Sequence, residues 1–167
     1  MEIERKFTVK QLPDTLDKQT CLIIEQAYLN TDPVIRIRRQ NDEYYLTYKG
    51  KGLLAREEYN LPLNKEAYEH LRTKADGNII SKKRYLFPID TPTFKEGYLP
   101  PAGMPTLTIE LDVFDAPFAP LVIAEVEFPD EEMANAFVAP DWFLEDVTYN
   151  RDYHNSNLSL KKFQCNM

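Results

Sequence analysis

The amino-acid sequence predicts a β-rich α+β fold whose strands curl around one charged cavity. Three observations carry that expectation. Most of the chain alternates apolar and polar residues with a period of two, which marks strands with two unlike faces. Helical spacing occupies only two short segments, so strands outnumber helices. On the polar faces, charges of one sign recur two residues apart, as in Glu2/Glu4, Arg36/Arg38, Lys82/Arg84, Glu110/Asp112 and Glu125/Glu127. Neighbouring like charges on a wet sheet repel one another, and mixed signs are favoured there. Signs sorted in this way in nearly every strand point to a curved sheet that gathers the charged faces inward.

Strands are expected near residues 2–9, 22–29, 34–39, 44–49, 53–61, 80–87, 106–114 and 122–128, with a last one around 145–149. A first helix runs from an Asn64 cap to Lys74, with Ala67, Tyr68 and Leu71 on one face and Gly77 just past its end. A second begins at an Asp130 cap, has Glu131 and Glu132 where the helix dipole favours acids, presents Met133 and Phe137, and stops at Pro140. Lys161 and Lys162 close a short C-terminal turn. The Pro-rich segment 88–105 reads as a long loop because strand-like text resumes directly after it. At 167 residues the chain makes one domain, 1–167, with a core of its own.

Composition narrows the function. Hydrophobic content of 43% and aromatic content of 12% fit a packed globular protein. A net charge of −7 argues against a nucleic-acid partner. No apolar run approaches the roughly 20 residues of a membrane span, and the opening MEIERKF has no apolar leader segment, so a cytoplasmic location is expected. Cys21 and Cys165 have neither disulfide nor zinc spacing and read as reduced thiols. His70 and His154 have no metal-spaced partner and read as solvated structural residues.

Dividing each strand into its two faces assigns the cavity. The inward acids are Glu2, Glu4, Glu58, Glu110, Asp112, Glu125, Glu127 and Asp146; the inward bases are Lys6, Arg36, Arg38, Lys49, Arg56, Lys82 and Arg84. Ile37, Val113 and Val126 then face outward. The expected helices are too few to cover all the outer apolar faces, and a homodimer is one way to cover the rest. Crowded carboxylates repel until a hard cation joins them, and Mg²⁺ or Mn²⁺ suits oxygen-only ligands. The bases call for a polyanion, since guanidinium forks match phosphate oxygens. Metal beside phosphate is the arrangement of phosphoryl transfer, where positioning and neutralisation supply most of the rate.

An ordered set of motifs strengthens this: Glu2-Ile3-Glu4-Arg5-Lys6, Gln26-x-Tyr28-Leu29, Arg36-x-Arg38, Thr47-Tyr48-Lys49, Arg56-x-Glu58, Lys82-x-Arg84-Tyr85, Glu110-x-Asp112, Glu125-x-Glu127, and Asp146-Val147-Thr148 followed by Tyr153 and Asn155. The set resembles the CYTH domain, or triphosphate tunnel metalloenzyme, superfamily, and in particular its short stand-alone bacterial members. The resemblance implies an eight-stranded antiparallel β-barrel with an open tunnel. It implies Mg²⁺ or Mn²⁺ on Glu2, Glu4, Glu110, Asp112, Glu125 and Glu127, and a triphosphate on Arg36, Arg38, Lys49, Arg56, Lys82 and Arg84. It also implies a catalytic pair, Lys6 and Tyr28, that helps to activate the attacking water; a tyrosine base requires that the nearby ammonium lower its pKa, and an aromatic that only lines the barrel wall is the alternative. Asn60 stands where the family often has a second glutamate, and the 88–105 loop is long for the family. The leading expectation is hydrolysis of inorganic tripolyphosphate. A class IV adenylate cyclase, a thiamine or nucleoside triphosphatase acting on an organic triphosphate, and a non-catalytic polyphosphate-binding module are the alternatives.

Overall fold

The computed structural model describes residues 1–163; Cys165 lies outside them. The elements are β1 (Glu2–Val9), β2 (Thr20–Thr31), β3 (Val34–Gln40), β4 (Glu43–Lys49), β5 (Ala55–Arg56), β6 (Glu58–Leu63), α1 (Lys65–Arg72), β7 (Asp76–Ile89), β8 (Leu107–Phe114), β9 (Val122–Glu127), α2 (Glu131–Ala136), β10 (Phe143–Asp146) and α3 (Asn155–Leu160). Among the described residues no helix is long and apolar enough to cross a membrane.

The strands form one antiparallel sheet in the order β10-β1-β9-β8-β7-β2-β3-β4-β6. β5 bends this sheet into a nearly closed barrel. It pairs Glu2 with Arg56 and Ile3 with Ala55 on β1, while β6, one residue further on, pairs with β4. Ten strands stand where alternation gives nine and the resemblance implies a barrel of eight: the segment read as 53–61 is broken at Glu57, and β10, expected near 145–149, takes the remaining half of the β1 edge.

The outer apolar faces are covered piece by piece. Asn64 caps α1 by accepting from the Ala67 amide at 2.8 Å, and Tyr68 lies with Ala27 and Ile37 beneath the helix. Asp130 caps α2 through the Met133 amide at 2.7 Å. At the other end of α2, Arg5 donates to the carbonyls of Ala134 and Phe137, both at 2.9 Å, satisfying groups a helix end leaves unpaired. Met133, Ala134 and Phe137 pack on Ile3, Phe7, Ile109 and Val126. The long Pro-rich loop contributes to the same cover, with Phe94, Tyr98 and Met104 against this cluster.

At one end of the barrel the inward positions are apolar. Val34, Ile80, Phe114 and Ile123 pack there with Leu158 of α3 and fill that end, so the charged cavity occupies the rest. α3 lies tight on β7 at Gly77, where φ is +71° and an added Cβ would stand 2.2 Å from the Ser159 carbonyl oxygen. Only glycine tolerates both the dihedral and the approach.

Candidate active site

The barrel encloses a cavity of about 770 Å³, within the range of small-molecule sites. Its walls include Glu2, Glu4, Lys6, Arg36, Arg38, Lys49, Arg56, Glu58, Arg84, Glu110, Glu125 and Glu127, so alternation assigned the faces of these charged residues correctly; Tyr28, named through the resemblance, lines the cavity with them. Lys82 and Asp112 share their face but do not reach the cavity. Both are 0% exposed, sealed behind the wall in a mutual ion pair. Asp146, counted among the inward acids, lies on the other side of β1. It accepts from Arg5 at 2.6 Å, because its register partner is Phe7, which shares with Arg5 the outer face of β1.

Most charges are paired, and strand register explains the pairs. Cross-strand neighbours include Glu2 and Arg56, Lys6 and Glu125, Lys49 and Glu58, and Arg84 and Asp112. The Lys6 ammonium donates to Glu4 at 2.7 Å and to Glu125 at 2.5 Å. Lys49 bridges Glu2 at 2.7 Å and Glu58 at 2.9 Å. Arg84 donates to Asp112 and Glu125, each at 2.7 Å, and to Glu110.

Three lining groups differ. Glu127 makes no ion pair among the described residues. It stands opposite Glu4 in register; burial and the charges of Glu110, Glu4 and Glu58 push its carboxyl up. Among the described residues Arg36 and Arg38 have no carboxylate partner. Arg36 donates to the Thr47 hydroxyl at 3.2 Å, and its Nε atom is buried without a partner. Arg38 donates to Gln26 Oε1 from Nε at 3.0 Å and from Nη2 at 2.8 Å, and to the Tyr45 hydroxyl at 3.3 Å. The site is therefore polarised, with an acid excess at Glu127 and a cation excess at Arg36 and Arg38. The carboxylates form an oxygen-only donor set of the kind a hard cation takes. Among the described residues no three of them already converge as a metal cage, since lysines and arginines hold most of them apart.

The expected pairing of Lys6 with Tyr28 meets a different geometry. The Lys6 ammonium is committed to Glu4 and Glu125. Burial pushes the Tyr28 phenol up, against the partial opposition of Arg36 and Arg38. The condition set for a tyrosine base, a pKa lowered by a nearby ammonium, is not met. Gln26 and Thr47 stand in the ordered motifs without an assigned role, and nothing in the sequence selects Tyr45; the contacts of all three come from cross-strand register. His154, read as solvated, is buried, lines the cavity and pairs through Nε2 with the Thr148 carbonyl at 3.0 Å.

The acids divide by pKa. Burial and Glu4 push Glu2 up from its ordinary 4.5 to about 7, although Lys49 opposes this. Burial would also raise Glu4, but Lys6 holds it down at about 2. A folded-state pKa above the unfolded value means that the fold holds a proton the unfolded chain releases. The Glu2 contribution is thus present below pH 4.5 and lost as pH rises through about 7. In chelator, the melting temperature is expected to acquire a downward component between those limits. Glu2→Gln should lose that component, and melts of both proteins across the range check it.

Comparison with known proteins agrees with the geometry. The CYTH domain family profile matches residues 1–161. An inorganic triphosphatase of Nitrosomonas europaea is 37% identical over 162 residues, covering 95% of this chain and 97% of that protein. An inorganic triphosphatase of Acetivibrio thermocellus is 36% identical, covering 94% and 92%. The solved structure of the inorganic triphosphatase NE1496 superposes with a TM-score of 0.67 at 33% identity, covering 97% of this chain and 96% of that one. With the motifs in order, the barrel formed and the charged cavity enclosed, the chain belongs to the CYTH domain family.

Proposed function

We propose that this protein is a metal-dependent inorganic triphosphatase that hydrolyses tripolyphosphate to pyrophosphate and phosphate. The observation that carries the reading is the polarised cavity, in which unpaired Arg36 and Arg38 share one chamber with unpaired Glu127. The names of the relatives support the same reaction. A chain of three phosphates matches the cation excess, and a divalent ion matches the carboxylate excess.

Arg36, Arg38, Lys49 and Arg56 hold phosphate oxygens, with Arg84 completing the wall. Lys82 acts from behind, by setting Asp112 against Arg84. Glu127, Glu110, Glu125, Glu4 and Glu2 are the residues that would hold Mg²⁺ or Mn²⁺, and Asp112 supports them by fixing Arg84. The metal, when bound, supplies Lewis-acid polarisation and neutralises developing negative charge. Lys6 keeps Glu4 and Glu125 ionised and oriented. Tyr28 presents a hydroxyl donor, since its raised pKa keeps the proton on oxygen. Water adds through its oxygen to the terminal phosphorus, the anhydride P–O bond breaks, and pyrophosphate departs with the proton that the water releases on its freed oxygen. The guanidinium groups are placed before the reaction begins, so little reorganisation accompanies the charge shift.

The wall contacts so assigned are made to phosphate oxygens, and none is reserved for a base or a thiamine ring. Attaching an organic group also removes one charge from the terminal phosphate. The expected result is a kcat/KM for tripolyphosphate at least about tenfold above that for ATP, roughly 1.4 kcal/mol of transition-state preference. A phosphate-release panel with tripolyphosphate, ATP and thiamine triphosphate, each with Mg²⁺, Mn²⁺ or Ca²⁺, tests it. ATP as the better substrate, or cyclic AMP as the main product, would overturn the choice of substrate.

A further inference from the structure

The two unpaired arginines owe their state to the strands on either side of them. Arg36 stands between Tyr28 on β2 and Thr47 on β4, and Arg38 stands between Gln26 on β2 and Tyr45 on β4. All four neighbours are neutral. Elsewhere in the cavity the cross-strand neighbour of a base includes a carboxylate: Glu125 for Lys6, Glu58 for Lys49, Glu2 for Arg56 and Asp112 for Arg84. The contrast is sharpest at Gln26. This residue is 0% exposed, and its Oε1 accepts both Nε and Nη2 of Arg38. That is the fork a carboxylate usually receives, here received by a group without charge.

We infer that Gln26 is a positioning residue that acts through Arg38, holding its guanidinium in a fixed pose while leaving its positive charge free for the substrate polyanion. The inference rests on the triphosphate reading of the cavity. A glutamate at this position would fit the same space and accept the same hydrogen bonds, but it would neutralise Arg38. The cation excess persists in the free protein because each member has a neutral acceptor and none has a counter-charge among the described residues. Desolvated like charges of this kind are unfavourable until an anion joins them.

The test compares Gln26→Glu with the wild type in metal-free buffer containing chelator. Binding of tripolyphosphate is measured by calorimetry, and the rise in melting temperature is measured on adding sulfate. The expected result is that Gln26→Glu melts no lower than the wild type without anion, binds tripolyphosphate at least about tenfold more weakly, and loses the sulfate-induced rise. If Gln26 were only an anchor, glutamate would serve as well. Binding within about threefold of the wild type therefore overturns the inference, as does a wild type that binds neither anion without metal. If Gln26→Glu does not fold, Arg38→Gln and Lys49→Gln decide the matter. The inference requires Arg38→Gln to lose at least about fivefold more metal-free affinity, because Lys49 is already neutralised by Glu2 and Glu58; equal losses overturn it. A wild type that binds both anions but does not hydrolyse tripolyphosphate would sink the proposed reaction and leave this inference standing.

Discussion

Glu127→Gln is expected to lower tripolyphosphate hydrolysis at least about tenfold in limiting Mg²⁺, with part of the loss recovered at high Mg²⁺. Even residues that only support metal ligands change metal affinity by about 10–100-fold when replaced, and Glu127 is proposed to touch the ion. The fold should not suffer. Glu127 has no basic partner among the described residues, and it faces Glu4 across the β1–β9 pair. Burial and its acidic neighbours already push its carboxyl up, so a neutral amide of the same shape relieves repulsion. The melting temperature of the metal-free variant should stay within about 2 °C of the wild type or rise. Initial rates across a Mg²⁺ titration, set beside thermal melts in chelator, measure both quantities. Wild-type rates at limiting Mg²⁺ would remove Glu127 from the metal site.

Asp112→Asn is expected to do the opposite and unfold the protein more readily. Asp112 accepts from the Lys82 ammonium and from the Arg84 guanidinium with no exposure to solvent. Removing its charge leaves two buried cations facing an amide. Breaking a buried pair on one side costs about 3–5 kcal/mol, which for a domain of this size lowers the melting temperature by roughly 6–20 °C. The loss should carry a pH signature. Burial pulls the Lys82 ammonium down to about 8 even with Asp112 opposite, and without Asp112 it goes lower. A lysine with a depressed folded-state pKa gains stability as pH rises, because the unfolded chain then binds the extra proton. The gap between variant and wild type should therefore narrow from pH 6 toward pH 9. Denaturation at both pH values checks it. A variant as stable as the wild type, but poor in metal binding, would return Asp112 to the metal ligands.

These two acids had equal standing in the sequence. Each is the second of a like-charged pair two residues apart on a strand, Glu110/Asp112 and Glu125/Glu127. Alternation states which face a side chain takes and says nothing of its position along the barrel axis. Asp112 lies one step nearer the apolar end filled by Phe114 and Ile123, and Glu127 lies toward the open part of the cavity. The same limit misplaced Asp146, whose side depends on its meeting Phe7 of β1 in register, and His154, whose burial depends on where the chain returns after β10.

The sequence by itself determined the class of fold, the strands and their inner faces, the two capped helices and the family. Each of these follows from contacts within a few residues: period-two alternation, an Asn or Asp cap, and motifs written along one strand. Only the tertiary structure decided which charges cancel. Ion pairing is set by register between strands far apart in the chain, such as Glu2 with Arg56 on β5 and Gln26 with Arg38 across the β2–β3 pair. A shift of one residue in either pairing would turn one strand's side chains to the opposite face and undo these pairs. The register that seals Lys82 and Asp112 behind the wall also leaves Arg36, Arg38 and Glu127 without ion-pair partners among the described residues, because side chains on one face neutralise only those the neighbouring strand places within a few ångströms.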